Sequence, residues 1–243
     1  MTRPHHRAVD RIAAILEAVV TEPEGLSLTK LALRLDAPVS SIQKLVNGLA
    51  AVGYLDEQDH RFRLGAGAYV LALRSGLVPV QSITHGYLEE LHQRSGVSAV
   101  LAIRTGDTSV YVDWAGTDDP FNYLSVQQLR TPLPETAVGR VLLAHLPERE
   151  RYAVVSAVHP GDAGAALTLL ADLERLRANG YTMGDSGPML RGIAAVAMPV
   201  WERGSVVAAV ALAGPHENVD GRLDELAKLL GDALAQWAPR SVD

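Results

Sequence analysis

Three helical patterns of apolar residues open the chain, each repeating at the three- and four-residue spacing of an amphipathic helix. The second pattern follows Ser27, a residue type suited to cap a helix N-terminus. The third starts near Pro38, which the first turn of a helix tolerates, and Gly53 ends it as a left-handed residue. The apolar positions are Val9, Ile12, Ala13, Leu16 and Val20 in the first helix, Leu28, Leu31, Ala32 and Leu35 in the second, and Ile42, Leu45, Val46 and Leu49 in the third.

A short connection and a following hairpin give these helices a recognisable arrangement. Only residues 36–38 separate the second helix from the third, which is the spacing of a helix-turn-helix motif. An acidic turn at Asp56–Asp59 then precedes Arg61–Leu64, where alternation places Phe62 and Leu64 on one face of a strand and the arginines on the other. The pattern predicts a winged helix-turn-helix domain over residues 1–65, with a two-stranded wing.

The face of the third helix opposite its apolar stripe carries polar side chains suited to contact DNA. A recognition helix reads base edges in the major groove, where Gln and Asn pair with adenine and Lys reaches guanine or phosphate. Arginines on the wing and near the first helix are candidates for phosphate contacts. The alternative is a winged helix that binds another protein. The predicted DNA-binding residues are Ser40, Ser41, Gln43, Lys44, Asn47, Arg61, Arg63 and Arg7.

The rest of the chain predicts a connecting helix and a second domain. Residues 66–76 read as helical and Pro79 interrupts them, so we expect a linker helix over 66–79 and a domain over 80–243. A helix from about residue 81 to 93 precedes strands at 97–103 and 109–114, helices at 136–146 and 167–178, a hairpin at 192–213 and a last helix through Trp237. Strands joined by tight turns predict an antiparallel sheet with flanking helices, hence an α+β fold.

Composition narrows the function classes. The 243 residues are 48% apolar and include no cysteine, which excludes disulfides and thiolate chemistry. The net charge is −6, but the first 75 residues hold nine basic and eight acidic side chains, so the negative charge belongs to the rest. Apolar runs are about half the roughly 20 residues that a membrane span needs. We expect a soluble cytoplasmic protein with no membrane partner.

We find no constellation that predicts catalysis, a metal or a cofactor. Gly184–Asp185–Ser186–Gly187 matches the loop that carries a protease nucleophile. Such a protease also needs a histidine base and an oriented acid, and neither has its expected sequence context in this chain. His85 and His92 could share a helix face, yet nothing completes a metal set with them. Glycine loops for phosphates or dinucleotides do not occur. The sequence is therefore expected to be neither an enzyme nor a holder of a cofactor.

A series of segments along both predicted domains has a familiar order and spacing. They are Gly25–Leu35, Ser40–Leu45, Gly53–Asp56, Arg61–Gly65, Pro132–Leu133, Thr136–Ala144, Leu176–Tyr181, Gly192–Ala195, Pro199–Val200, Val206–Ala208 and Gly214–Pro215. Through these segments the sequence resembles, over nearly its full length, the IclR family of bacterial transcriptional regulators. The resemblance implies a winged-helix DNA reader, a linker helix and a GAF-like effector-binding domain, in dimers or tetramers on operator DNA. It also implies that a small molecule, frequently a carboxylate, alters DNA affinity.

The resemblance also implies which residues would contact an effector, namely Ala137, Val138, Asp185, Gly192, Ala211 and Ala213. Members that bind small carboxylates tend to have serine at the last two positions. Alanine at both removes two hydroxyl donors, so we expect an effector more apolar than a two- or three-carbon acid. Phe121, Tyr123, Leu124 and Met189 are expected to supply apolar walls. The alternative is a degenerate pocket with no small-molecule effector.

Two departures from the family pattern concern DNA. Val39 stands where a basic residue is frequent, and Gln43 stands where histidine or tyrosine is frequent. The wing is acidic at Asp56, Glu57 and Asp59. These changes remove attraction to phosphates, so we expect weak non-specific binding by each head and affinity recovered by dimerisation across two half-sites.

Overall fold

The apolar stripes predicted for the first 65 residues largely meet in one core, but the face predicted for the first helix is wrong in part: Val9, Ala13 and Val20 are exposed, and Ile15, Ala18 and Val19 are buried instead. In the computed structural model, which describes residues 6–76, 80–116 and 130–237, the stripes lie on helices α1 (Arg7–Val20), α2 (Leu28–Arg34) and α3 (Val39–Ala51). Gly53 follows α3 in the left-handed conformation, with φ of 78°. The residues buried in this core are Ile15, Ala18, Val19, Leu26, Leu31, Ala32, Ile42, Val46, Leu49, Leu55 and Phe62.

The wing differs from its prediction in two details. Besides β2 (Leu55–Gln58) and β3 (Arg61–Leu64), a strand β1 (Leu26–Ser27) pairs with the far side of β3, so the sheet has three strands in the order β1-β3-β2. Two residues are too few to show an alternating pattern, and only the pairing with β3 reveals β1. The two residues predicted to share one face of β3 also differ in burial: Phe62 is buried, but Leu64, at the strand end, is 44% exposed.

Helix α4 (Gly67–Ser75) follows the wing and ends at Gly76, which is left-handed. Its start is tied to the end of α3, because the Gly67 amide donates to the Gly53 carbonyl at 2.8 Å. A side chain on Gly67 would collide with that carbonyl. None of its residues is buried. This helix closes the first of the two units into which the chain divides, Arg3–Val78 and Pro79–Asp243.

The second unit is built on a six-stranded antiparallel sheet of order β6-β5-β4-β9-β8-β7. The predicted turn and hairpin are confirmed, since β4 pairs with β5 and β8 with β9. In chain order its elements are α5 (His85–Ser95), β4 (Ser98–Thr105), β5 (Thr108–Ala115), β6 (Arg130–Pro132), α6 (Ala137–Ala144), α7 (Glu148–Val158), α8 (Ala163–Asn179), β7 (Thr182–Asp185), β8 (Ile193–Glu202), β9 (Ser205–Pro215), α9 (His216–Val219) and α10 (Leu223–Trp237).

Helices cover both faces of this sheet. One core joins it to α6, α7 and α8, and the other joins it to α5, α9 and α10. The predicted α+β class, an antiparallel sheet with flanking helices, is confirmed. Helix α5 starts at His85 rather than near residue 81, because the amides of Gln81 and Ser82 donate to the Glu202 carboxylate at 2.7 and 2.8 Å. Strands β6 and β7 and helix α7 were not predicted.

Candidate functional site

The row of polar side chains predicted on α3 lies on the surface of the first unit. Ile42 and Val46 are fully buried on the opposite side of the helix. Ser40, Lys44 and Asn47 are exposed, whereas Ser41 and Gln43 are half-buried. Because the helix begins at Val39 and Pro38 has no side-chain acceptor, α3 presents uncapped backbone amides beside Ser40.

Two of the predicted base-reading side chains bond to each other. The Gln43 side-chain amide donates to the Asn47 side-chain oxygen at 2.8 Å, one helical turn away. An adenine edge offers one donor and one acceptor, so either amide would exchange this bond for a bidentate pair with the base. The contact holds both side chains in one orientation in the free protein.

A residue that the sequence reasoning missed also contacts the start of α3. Arg11, on α1, donates to the Ser41 hydroxyl at 2.9 Å. The two residues are 30 positions apart, so no local spacing could have paired them. The contact places a guanidinium beside the helix N-terminus, where a DNA phosphate is attracted by both charge and backbone amides.

The wing arginines form hydrogen bonds within the first unit. Arg61 donates to the Gly25 carbonyl at 3.1 Å, and Arg63 donates to the Glu24 carbonyl at 3.4 Å and to the Gln58 side chain at 3.3 Å. The Nε atom of Arg63 is buried and has no partner among the described residues. Arg7, the third predicted phosphate contact, is exposed at the first residue of α1.

In the second unit, four of the predicted effector residues come together in one buried cluster. Ala137 and Val138 begin α6, and Ala211 and Ala213 lie on the face of β9 that α6 covers. None of the four is more than 3% exposed. On β8, Ala197 pairs with Ala211 and Ala195 with Ala213, so this face of the two strands is lined by methyl groups.

The other predicted effector residues lie at the surface or outside the description. Asp185 ends β7 and its side chain is 64% exposed. Met189 is 48% exposed, and Gly192, with φ of 81°, starts the turn into β8. Phe121, Tyr123 and Leu124 lie outside the described residues.

Asp185 shapes the loop that follows it. One carboxylate oxygen accepts from the Gly187 amide at 2.7 Å, and its carbonyl accepts from Arg140 at 2.8 Å. Gly187 has φ of 117° and packs so closely on the Glu135 carbonyl that a Cβ there would collide. Arg140, on α6, thereby joins the start of the effector cluster to the Asp185–Gly187 loop.

A polar trio beside the alanine face was also missed. The buried Tyr111 hydroxyl bonds to the Thr136 side chain, and that same side chain caps α6 by accepting from the Gly139 amide at 3.1 Å. Burial raises the pKa of Tyr111 and lowers that of Arg140, although Asp185 opposes the second shift. The raised pKa keeps the Tyr111 hydroxyl neutral at physiological pH. Tyr111 lies on β5, Thr136 immediately precedes α6, and Arg140 lies on α6, and no sequence motif links the three.

The described residues offer neither a metal cluster nor a membrane span. No group of three His, Asp or Glu side chains among them could hold a metal ion. His85 bonds to Asp113 and His92 to the Val97 carbonyl, so the two do not face one ligand. No helix in the described ranges is long and apolar enough to cross a membrane.

An open apolar groove of about 210 Å³ in the second unit is lined by none of the predicted effector residues that the structure describes. Ile83, Trp201 and Trp237 line it, next to the Ser82 amide that the Glu202 carboxylate holds. The Ser82 hydroxyl, at the lining of the groove, is already bonded to the Glu202 carboxylate. The candidate effector site therefore remains the cluster under α6 and the loop after β7.

Two family models together match most of the chain. The IclR helix-turn-helix domain matches residues 8–59, and the C-terminal domain of the bacterial transcriptional regulator IclR matches residues 76–238. The regulator XynR of Escherichia coli (strain K12) is 28% identical over 231 residues, which is 89% of this chain and 89% of XynR. The regulator BhcR of Paracoccus denitrificans (strain Pd 1222) is 28% identical over 257 residues, covering 96% of this chain and 88% of BhcR.

A solved structure shares the fold. An IclR homolog from Microbacterium hydrocarbonoxydans, crystallised with 4-hydroxybenzoate, superposes with a TM-score of 0.72 at 22% identity. The match covers 95% of this chain and 97% of that one. Both units of the present chain therefore have counterparts in a known architecture.

Proposed function

The chain belongs to the IclR family of bacterial transcriptional regulators, and on that premise we propose which side chains read DNA and which class of effector it binds. It is a regulator with a helix-turn-helix head and a C-terminal effector-binding domain. The observation that carries the first proposal is the exposed polar row on α3, opposite the buried Ile42 and Val46. We place this activity in the cytoplasm, where bacterial DNA lies.

We propose that α3 enters the major groove of operator DNA. Lys44 and Asn47 face outward for base edges, and Ser40 and Ser41 lie at the helix N-terminus, where Arg11 and the backbone amides would hold a phosphate. Arg7, Arg61 and Arg63 would flank this contact. The bonds of Arg61 and Arg63 to residues 24–25 and 58 suggest that they position the wing as well as attract phosphate.

Lys44→Ala tests the head, with Lys228→Ala as the matched control. Both lysines are exposed, but Lys228 lies on α10 in the other unit. Anisotropy with the upstream intergenic DNA of the gene, across a salt series, should show weaker binding and a salt slope reduced by about 1 for Lys44→Ala alone. Equal DNA affinity of the two variants would contradict a contact between Lys44 and DNA. Absence of salt-dependent binding by the unaltered protein would favour a protein-interaction adaptor.

We propose further that the effector is more apolar than a two- or three-carbon acid. The cluster under α6 presents methyl groups from β8 and β9, which cannot donate hydrogen bonds to a carboxylate. Trp114 packs against the same cluster and adds an aromatic surface. The 4-hydroxybenzoate bound by the Microbacterium homolog is an acid of this more apolar class.

Calorimetry with benzoate and 4-hydroxybenzoate, against glyoxylate and pyruvate, tests the effector class. The aromatic acids should bind and the small acids should not; micromolar binding of glyoxylate or pyruvate would contradict the proposal. Replacing Ala211 and Ala213 by Ser should shift preference toward pyruvate, because two hydroxyl donors return. Ala208→Ser, on the opposite face of β9, is the control and should leave the preference unchanged.

We also propose that the working form is at least a homodimer. Helix α4 exposes Tyr69, Val70, Leu71 and Leu73, each by 45% or more of its surface. A patch of this kind marks an association surface, and a second copy reading a second half-site is the natural partner. Sedimentation should show a dimer that Leu73→Ser weakens; a monomer at DNA-binding concentrations would contradict the proposal.

A further inference from the structure

His216, the first residue of α9, lies between two carboxylates. Its Nδ1 atom is 3.0 Å from both carboxylate oxygens of Asp220, one helical turn along. Its Nε2 atom is 3.5 Å from the Oδ2 atom of Asp185, at the end of β7. The two ring nitrogens therefore point at two acidic groups from different elements.

Only the protonated ring satisfies both contacts. A neutral imidazole has one N–H and one lone pair, so it can donate to Asp220 or to Asp185 but not to both. The imidazolium ion donates from both nitrogens. The hydrogen bond to Asp220, and then the charges of Asp220 and Asp185, raise the pKa of His216 above its ordinary value of 6.5.

Asp185 is also the residue that shapes the loop beside the candidate effector cluster. Its Oδ1 atom accepts from the Gly187 amide, its carbonyl accepts from Arg140, and its remaining oxygen faces His216. The backbone of His216 closes the other side, because its amide donates to the Gly192 carbonyl at 3.2 Å. A change at His216 is thus felt at Asp185 and Gly187 together.

We propose that His216 is a positioning residue that fastens the Asp185–Gly187 loop to α9 while its ring is protonated, and that it makes effector binding depend on pH. The effector half of this inference rests on the proposed function. Protonation closes the contact with Asp185. As the pH rises through the pKa of His216, the ring keeps Asp220, the nearer partner on its own turn, and releases Asp185.

The charged groups on the described elements around His216 include one base on the turn that follows α9: Arg222, two residues after Asp220, which bonds to Glu225 and to the Ser95 carbonyl. Strand β9 has no ionisable side chain, and the one on β8, Glu202, is at the far end of that strand and bonds to Gln81 and Ser82. Glu217 is the neighbour of His216 on α9, and Arg191 precedes Gly192; both are exposed. Arg140 faces the carbonyl of Asp185 from α6. The acidic pair thus dominates the environment of the ring.

The chain offers a matched control. His85 likewise starts a helix between two carboxylates, with Nδ1 2.8 Å from Asp113 and Nε2 3.6 Å from Glu89, and these raise its pKa. It lies on α5, which packs on the opposite face of the sheet from α6. His85→Gln removes an equivalent titration without touching the Asp185 loop.

The first test is an NMR titration of the free protein between about pH 5 and pH 8, where histidine titrates. The Gly187 amide resonance should follow the His216 ring with one midpoint above 6.5 in the unaltered protein and in His85→Gln. It should stay flat in His216→Gln, and its midpoint should fall in Asp220→Asn. A Gly187 resonance that does not follow the titration of the His216 ring, or that still titrates in His216→Gln, would contradict the proposed contact between His216 and the Asp185–Gly187 loop.

The second test measures 4-hydroxybenzoate affinity at the two ends of that pH range. In the unaltered protein, the affinities at the two pH values should differ by at least about fivefold, the lower end of typical coupling between sites. In His216→Gln, the affinities at the two pH values should be equal. The same ratio of affinities between the two pH values in the unaltered protein and in His216→Gln would contradict the proposal that His216 makes effector binding depend on pH. Absence of binding at either pH would count against the proposed effector class instead, since the NMR test needs no ligand.

Discussion

The two units of this regulator hold their candidate sites in opposite ways. In the first unit the candidate side chains, such as Lys44 and Asn47, stand outside a core made by other residues. In the second, Ala137, Val138, Ala211 and Ala213 are core residues themselves, whereas Asp185, Met189 and Gly192 lie at the surface. Changing the DNA site should therefore spare stability, whereas changing the effector site should affect folding and function together.

The largest expected effect separates core from surface within α3. Ile42→Ala removes a fully buried side chain and should cost about 2–5 kcal/mol of unfolding free energy, because the cavity cannot collapse completely. Lys44→Ala, two positions on, should change stability by no more than about 0.5 kcal/mol. Urea unfolding with hydrogen exchange on the first unit would measure both. Similar costs for the two variants would contradict the separation.

A smaller effect compares the same capping chemistry in the two units. Thr136 is fully buried, caps α6 and bonds to the Tyr111 hydroxyl, whereas Ser27 caps α2 near the surface through the Lys30 amide at 3.3 Å. Thr136→Ala should cost about 2–3 kcal/mol, since it strips a cap and strands a buried hydroxyl. Ser27→Ala should cost about 0.5–1 kcal/mol. Denaturant unfolding midpoints of the two variants measure these losses of stability. A greater loss of stability for Ser27→Ala than for Thr136→Ala would contradict the comparison.

The smallest effects concern two hairpin turns. In the wing, Asp59 and His60 both have positive φ, whereas the turn between β8 and β9 uses Arg203 and Gly204. His60→Gly should stabilise the wing by about 0.5 kcal/mol, because glycine adopts this backbone without strain. Gly204→Ala should destabilise the second unit by about 1 kcal/mol. Thermal unfolding would show the two shifts, and shifts of equal sign would contradict the reasoning.

Sequence periodicity was sufficient for the elements with long apolar stripes. Helix α3, its exit at Gly53, and the β8–β9 hairpin follow from spacings within a few residues. Strand β1 did not, because its two residues gain their role only by pairing with β3. Short edge elements such as β6 and β7 lack the length for a pattern and depend on the sheet beside them.

The candidate sites divide in the same manner. The exposed residues of α3 could be predicted, since the buried stripe leaves them as the remainder. The candidate effector residues could be proposed only through the family resemblance, because an alanine on a strand has the same pattern whether it faces an effector or a helix. Arg11 with Ser41, Tyr111 with Thr136, and His216 with Asp185 are partners 25 or more positions apart, and local spacing does not encode them.

By itself, then, the sequence determined that this protein has a winged-helix head and an α+β body, because amphipathic spacing and turn residues act within a few positions. Tertiary structure alone decided which polar groups meet: a cation at the start of α3, a neutral tyrosine at the cap of α6, and a histidine between two carboxylates. The reason is physical. Hydrogen bonds and charge pairs require contact distance, and only the folding of distant segments onto a common core creates it.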